Sequence, residues 1–335
     1  MDPLDPNQAA LFKEWVGVHA AADDAVWSGD GSSWSVDEVR AHQRATSYRR
    51  TAFAAVDGSG KVVGALQVIE PIYDNLDRAE VWLSVRPDRS GQGIGSTLLQ
   101  AAQSLVRDAG RTVVSGRSSS PEEHGGAGPA FASHHGYTLA QMALRQDLAL
   151  TNDQEWHLPV GGEHPAYAIE TVWDTLPEEW LEDRAFLARR MSTDVPMGDL
   201  DLGEEAWDAA WVREQWETGR AQGRRSLDSV ARQVGSGRLV GFTDLQISAS
   251  SPQLGYQGDT LVLREHRGHG LGLALKRANL AAVRREQPLV RTIRAWNAGG
   301  NEPMLRVNRE LGFVVTGYTH EWQKRLADGG IALAP

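Results

Sequence analysis

The alternation of apolar and polar positions predicts the same order of elements twice along the chain. In the first half, residues 8–21 and 35–48 read as helices, with Ser33 as a cap for a helix entered near Val36. Residues 51–57 and 61–70 alternate or run apolar on either side of Asp57-Gly58-Ser59-Gly60, which predicts a hairpin. A strand over 78–85 follows. Leu98, Leu99, Ala102 and Leu105 then recur at helical spacing within Ile94–Val106. A short strand at 112–115, a helix at 129–135 and a strand at 137–148 complete this half. Asn152, Asp153, Pro159, Gly161, Gly162 and Pro165 mark 150–168 as a linker. Beyond it the pattern predicts helices at 177–191, 204–221 and 225–234 and strands at 238–248 and 256–263. A helix at 271–285, a strand at 290–297, a helix at 301–311 and a strand at 313–325 follow. Trp207, Trp211 and Trp216 read as one buried face.

The repetition is also literal. Val85–Leu99 (VRPDRSGQGIGSTLL) and Val262–Lys276 (VLREHRGHGLGLALK) carry one glycine-rich signature, and Gly93 and Gly95 stand 177 residues before Gly270 and Gly272. KVVG, ending at Gly64, and RLVG, ending at Gly241, keep that offset. His135-Gly136-Tyr137 and Leu311-Gly312-Phe313 are separated by 176. The expected architecture is therefore α/β (α+β). Two tandem copies of one fold each have a mixed, mostly antiparallel central sheet flanked by helices. The expected domains are 1–150, a linker or first strand at 151–168, and 169–335.

A strand, a glycine-rich turn and an apolar helix in succession make a phosphate-binding device. Glycines let the backbone approach an anion, and the exposed N–H groups and dipole of the helix start favour it. The dinucleotide fingerprint would need a third glycine where Leu275 stands, which disfavours a nucleotide-binding oxidoreductase. A Walker loop would need Lys-Ser or Lys-Thr after the last glycine. Composition narrows the field further. The 335 residues contain no cysteine, which removes thiolate metal sites and a thioester on the enzyme. The net charge of −10 disfavours a nucleic-acid partner. No apolar run is long enough to span a membrane and the acidic, polar start is no signal peptide, so a cytoplasmic protein is expected. No His, Asp or Glu group has metal-ligand spacing, so no metal is expected.

The turn resembles motif A of the GNAT superfamily of acyl-CoA-dependent N-acyltransferases, (Arg/Gln)-x-x-Gly-x-(Gly/Ala). Arg267, Gly270 and Gly272 match it throughout; Gly93 and Gly95 match in the first copy, where Ser90 replaces the long donor. Trp296–Phe313 (WNAGGNEPMLRVNRELGF) resembles the motif B that follows. The resemblance spans almost the whole chain as a tandem pair. It implies acetyl-CoA as co-substrate, a small-molecule amine as acceptor and a monomer or homodimer. It places coenzyme A on Val262, Leu263, Arg267, Gly268, His269, Gly270, Leu271 and Gly272, with Asn301 or Asn297 on the pantetheine arm and Asn301 better placed. Gly91, Gly93 and Gly95 are the counterparts in the first copy. Where many members carry a tyrosine acid, this chain has Asn308, which leaves hydrogen bonding to sulfur as its role. Ala132 and the PEEHGGAGPA stretch read as an eroded cofactor wall, so the chemistry is expected mainly in the second copy.

Direct transfer to an amine needs a base. Asp259, on the strand before the turn, is the first candidate, followed by Asp244; Glu80 is the counterpart in the first copy. On the last strand, His320 or Glu321 is expected to face the cleft, while His266 and His269 read as surface residues of the turn. The loop from Met191 to Leu200 is the expected acceptor-recognition segment. The alternative to an N-acetyltransferase is a catalytically weak coenzyme A-binding or regulatory protein.

Overall fold

The computed structural model of the chain describes residues 1–151 and 165–326. It divides into two compact units, and each takes one strand from the other half of the sequence.

The first unit holds Met1–Met142, Asp199–Asp201 and the segment from Gly317. Its helices are α1 (Ala9–Trp27), α2 (Val36–His42), α3 (Ile94–Asp108) and α4 (Ala127–His134). Ser35, rather than Ser33, caps α2, in a reciprocal box with Glu38. β1 (Tyr48–Val56), β2 (Val62–Pro71) and β3 (Arg78–Val85) form an antiparallel meander. β4 (Val113–Ser120) then pairs parallel with β3. The next strand over is the end of the chain, β11 (Val314–Arg325), antiparallel to β4 from Tyr318↔Ser120 to Arg325↔Val113. Leu98, Leu99, Ala102 and Val106 of α3 bury one sheet face against Leu66, Val68, Val81 and Trp322. Phe12, Trp15 and Val16 of α1 bury the other against Ala52, Val62 and Ala65.

The second unit holds Ala143–Gly198 and Leu202–Thr316. Its helices are α5 (Leu181–Asp194), α6 (Ala209–Ala221), α7 (Leu271–Glu286) and α8 (Glu302–Leu311). β6 (Tyr167–Trp173), β7 (Arg224–Gln233), β8 (Leu239–Ser248) and β9 (Leu254–Val262) are successively antiparallel, and β10 (Thr292–Ala298) is parallel to β9. The far side of β10 is covered by β5 (Thr138–Ala149), antiparallel from Thr292↔Ala149 to Ala298↔Ala143. Leu148 of β5 packs into the core of this unit with Ile293, Leu311 and Phe313.

Several expectations change. The two halves do not part at residue 150: 143–149 belong to the second unit and the segment from Gly317 to the first. Residues 152–164 of the predicted linker lie outside the described residues, and Tyr167 already starts a strand. Residues 225–234 form a strand, not a helix. Leu227, Val230 and Ala231 have helical spacing, but both faces of β7 are buried, Leu227 in one core and Val230 in another. A strand covered on both sides loses the plain alternation that would reveal it. Trp207 precedes α6; its ring stacks on Trp211 at 4.5 Å and packs with Trp216 on the core.

Candidate active site

The two glycine turns have the same backbone. Each begins with a single 3-10 turn, Pro87–Arg89 or Arg264–His266. Gly91, Gly93, Gly268 and Gly270 all have φ between 70° and 84°, the left-handed region open to glycine. Gly93 and Gly270 stand at the N-caps of α3 and α7 without a side-chain cap, and neither helix has an acid in its first turn. A Cβ at Gly91, Gly93, Gly268, Gly270 or Gly272 would meet no atom within 4 Å; one at Gly95 would meet the Phe131 ring at 3.3 Å. Uncapped N–H groups, open space and no opposing charge fit a pyrophosphate. Val262 and Leu263 lead into the second turn, where the Leu263 N–H is held by the Val240 carbonyl.

The side chains at the start of the turns differ. Arg267 Nε donates to the Val262 carbonyl (3.0 Å), and its Nη2 to the Asp194 carbonyl (3.3 Å). It is a strut that ties the turn to the end of α5. Ser90 makes a 3.5 Å contact with the Arg86 carbonyl instead. The predicted acceptor loop begins only at Val195, because α5 continues through Met191 to a buried Asp194. His266 is bonded to the Tyr167 hydroxyl (2.8 Å), and the Tyr167 ring lies 5.4 Å from that of His269.

In both units the parallel strand pair opens toward the turn. Pairing of β10 with β9 ends at Ala295↔Gln257, although β9 continues to Val262 and β10 to Ala298. Pairing of β3 with β4 ends likewise at Val81↔Gly116. Strands that separate while still extended leave a slot in which unpaired backbone groups can hold an extended ligand.

Beside the slot of the second unit stands a group of carboxylates. β8 and β9 slip register so that Asp244 opposes Gly258 and Asp259. Asp259 N–H donates to Asp244 Oδ1 (2.9 Å). Arg184 of α5 lies over the Phe242 ring, 3.3 Å from Asp228 Oδ1 and 4.0 Å from Asp244 Oδ1. Desolvation raises the pKa of all three carboxyls. Asp244 is pushed well above the ordinary range, because the charges of Asp259 and Asp228 add to its desolvation. Asp259 is solvent-exposed, and the surrounding protein raises its pKa by desolvation.

Other predicted residues fall elsewhere. His320 is on β11 in the first unit, opposite Ser118, while Asp259 is in the second. Glu321 and Glu80 flank Arg117 at 3.4 and 3.8 Å in the first unit. Asn301 caps α8, its Oδ1 accepting from Met304 N–H (3.4 Å), whereas Asn297 lies on β10 at the opening of the slot. Asn301 is thus engaged in a helix cap, while Asn297 stands where the two strands part. Asn308 has no exposed surface, and its amide is engaged by Lys276, Gln146 and Asn297. Lys276 and Gln146 escaped the sequence reading, since an amine on an apolar helix face and a glutamine in a strand carry no motif. Among the described residues no group of three or more metal-ligating side chains is assembled, and no helix is long and apolar enough to cross a membrane.

Residues 49–139 match the family described as "Acetyltransferase (GNAT) domain". The matched segment lies in the first unit, the one whose motif is less complete. A tandem GNAT protein from the clavulanic acid biosynthesis pathway, solved without AcCoA, superposes with a TM-score of 0.80 at 26% identity, over 97% of each chain. A GCN5-related N-acetyltransferase from Sphaerobacter thermophilus gives 0.67 at 19% identity, over 94% of this chain and 93% of that one. Among curated proteins no relative matches.

Proposed function

We propose that this chain, which matches the GNAT acetyltransferase domain over residues 49–139 and resembles a tandem GNAT protein in fold, transfers an acetyl group from acetyl-CoA directly to a primary amine, mainly in the second unit. The observation that carries this reading is the Asp244–Asp259 pair beside the slot that leads from the phosphate turn.

Acetyl-CoA supplies the activated acyl group. The N–H groups of the Arg267–Gly272 turn bind its pyrophosphate, and the slot between β9 and β10 takes the arm behind it. Asp259 accepts a proton from the acceptor ammonium, which frees the nitrogen lone pair for attack on the acyl carbon. Asp244 keeps the neighbouring proton and so holds Asp259 ionised. With Asp228 balanced by Arg184 and Asp244 neutral, the charge left on Asp259 favours a cationic acceptor. The departing thiolate takes its proton from solvent or substrate, because an amide at Asn308 has none to give. The chain acts in solution as a monomer or homodimer.

Turnover of acetyl-CoA with a panel of amines, by wild type and Asp259→Asn, tests the proposal. Amide formation that collapses in the variant is expected. The burial of Asn308, which leaves it away from the thioester, favours the other reading, a coenzyme A-binding or regulatory protein. Tight acetyl-CoA binding without turnover of any amine would establish that one instead.

A further inference from the structure

Three side chains buried beneath the slot of the second unit decide which way a fourth one points. Asn308 is fully enclosed, and its amide has one permitted orientation. Its Oδ1 accepts from Lys276 Nζ at 2.8 Å. Its Nδ2 donates both to Gln146 Oε1 at 2.8 Å and to Asn297 Oδ1 at 2.6 Å. Rotating the amide by half a turn would set NH2 against the lysine amine and oxygen against two acceptor oxygens. All three partners oppose it.

The consequence falls on Asn297. Its oxygen is taken by Asn308, so the group it has left is an NH2 donor. Asn297 is half-buried and stands two residues past the last pair between β10 and β9, at the opening of the slot. Lys276 is 1% exposed on the inner face of α7, with the Phe313 ring 5.7 Å from its amine. A fully buried amine is costly, and burial pushes its pKa down to about 7; charged or neutral, it donates to Asn308 Oδ1, which an apolar residue cannot do. Gln146 comes from β5, the strand that precedes residue 150.

We propose that Lys276, Asn308 and Gln146 are positioning residues that lock Asn297 as a hydrogen-bond donor to the pantetheine arm of the bound acyl-CoA. This rests on acyl-CoA binding in the second unit as set out above. Asn297 is the residue that touches the ligand; the other three act through it.

The test is calorimetric titration of the full chain with acetyl-CoA, in a Gly93→Val background that closes the first turn. Asn297→Ala weakens binding roughly 3- to 10-fold, the effect of one lost hydrogen bond. Lys276→Met frees the Asn308 amide to rotate and weakens binding by a similar factor. The double variant Lys276→Met/Asn297→Ala is no weaker than Asn297→Ala alone, because both act on one contact. A purely structural role for Lys276 gives additive losses instead. Asn308→Asp keeps a partner for Lys276 but loses the NH2, so the Asn297 amide turns its oxygen to the slot; binding falls at least as far as in Asn297→Ala. That variant carries the test if Lys276→Met does not fold. Wild-type affinity in folded Lys276→Met or Asn308→Asp, or additivity in the double variant, overturns the proposal while acetyl-CoA binding stands. Absence of acetyl-CoA binding to the Gly93→Val parent overturns the underlying reading as well.

Discussion

Gly258 lacks a side chain because the Asp244 carboxylate occupies the place one would take. A Cβ there would lie 2.0 Å from Asp244 Oδ2 and 2.8 Å from Oδ1. Gly258→Ala must therefore displace the carboxylate. It is expected to cost about 1–3 kcal/mol of stability and to lower kcat/KM at least tenfold on a confirmed amine, with acetyl-CoA affinity little changed. Chemical denaturation and steady-state kinetics on the same preparation check both parts.

Asp259→Asn removes the proposed base while keeping shape. The expected loss is about 10²–10⁴-fold in kcat/KM. In wild type the base must be ionised, so activity rises with pH through a carboxyl pKa above its ordinary value of 3.8, as desolvation of Asp259 dictates. That limb disappears from the profile of the variant. A variant with the wild-type rate and profile would place the base elsewhere, with Asp244 next in line.

Asp244 binds its proton more tightly in the folded chain than in the unfolded one. Its contribution to stability is thus fully present below the ordinary carboxyl pKa and is lost as pH rises through the raised native pKa. Asp244→Asn can keep an oxygen for the Asp259 N–H and never ionises. Its melting temperature relative to wild type is expected to improve as pH rises above the ordinary carboxyl value and to level off above the raised native pKa. A difference independent of pH would contradict the raised pKa.

The two glycine turns share a backbone but not a strut. With Ser90 in place of Arg267, the first turn is expected to bind acetyl-CoA more weakly than the second. Gly270→Val strains a φ of 70° and fills the open cradle, and should abolish the tighter site. Two equal sites per chain in calorimetry, or unchanged tight binding in folded Gly270→Val, would contradict this.

Asp147 of β5 grips Arg294 of β10 through two hydrogen bonds of 2.9 Å, and Arg294 is 1% exposed. Breaking this buried pair with Asp147→Ala is expected to cost about 3–5 kcal/mol. The loss should appear in the second unit, reported by slower acetyl-CoA capture at the second turn and by hydrogen exchange in β10. Destabilisation confined to the first unit would contradict the strand exchange.

The glycine turns were legible in the sequence because their backbone is specified locally. A glycine at positive φ followed by an uncapped helix is specified within about ten residues, and both copies spell it out. The repeat was legible for the same reason, and held more than the pattern reading took from it: the offset of 177 carries β1 onto residues 225–233, the strand that periodicity alone presents as a helix. The carboxylate candidates Asp244 and Asp259 were visible as residues on neighbouring strands, but their contact depends on a register slip that pairing alone creates. Tertiary structure alone decided the partners of β5 and β11. Strand pairing is a choice among distant segments, and both strands carry the same edge-to-edge hydrogen-bonding groups as any other. It also decided the asparagines. Asn297, Asn301 and Asn308 are identical in chemistry, and only the position of each amide among its neighbours makes one a donor at the slot, one a helix cap and one a buried link.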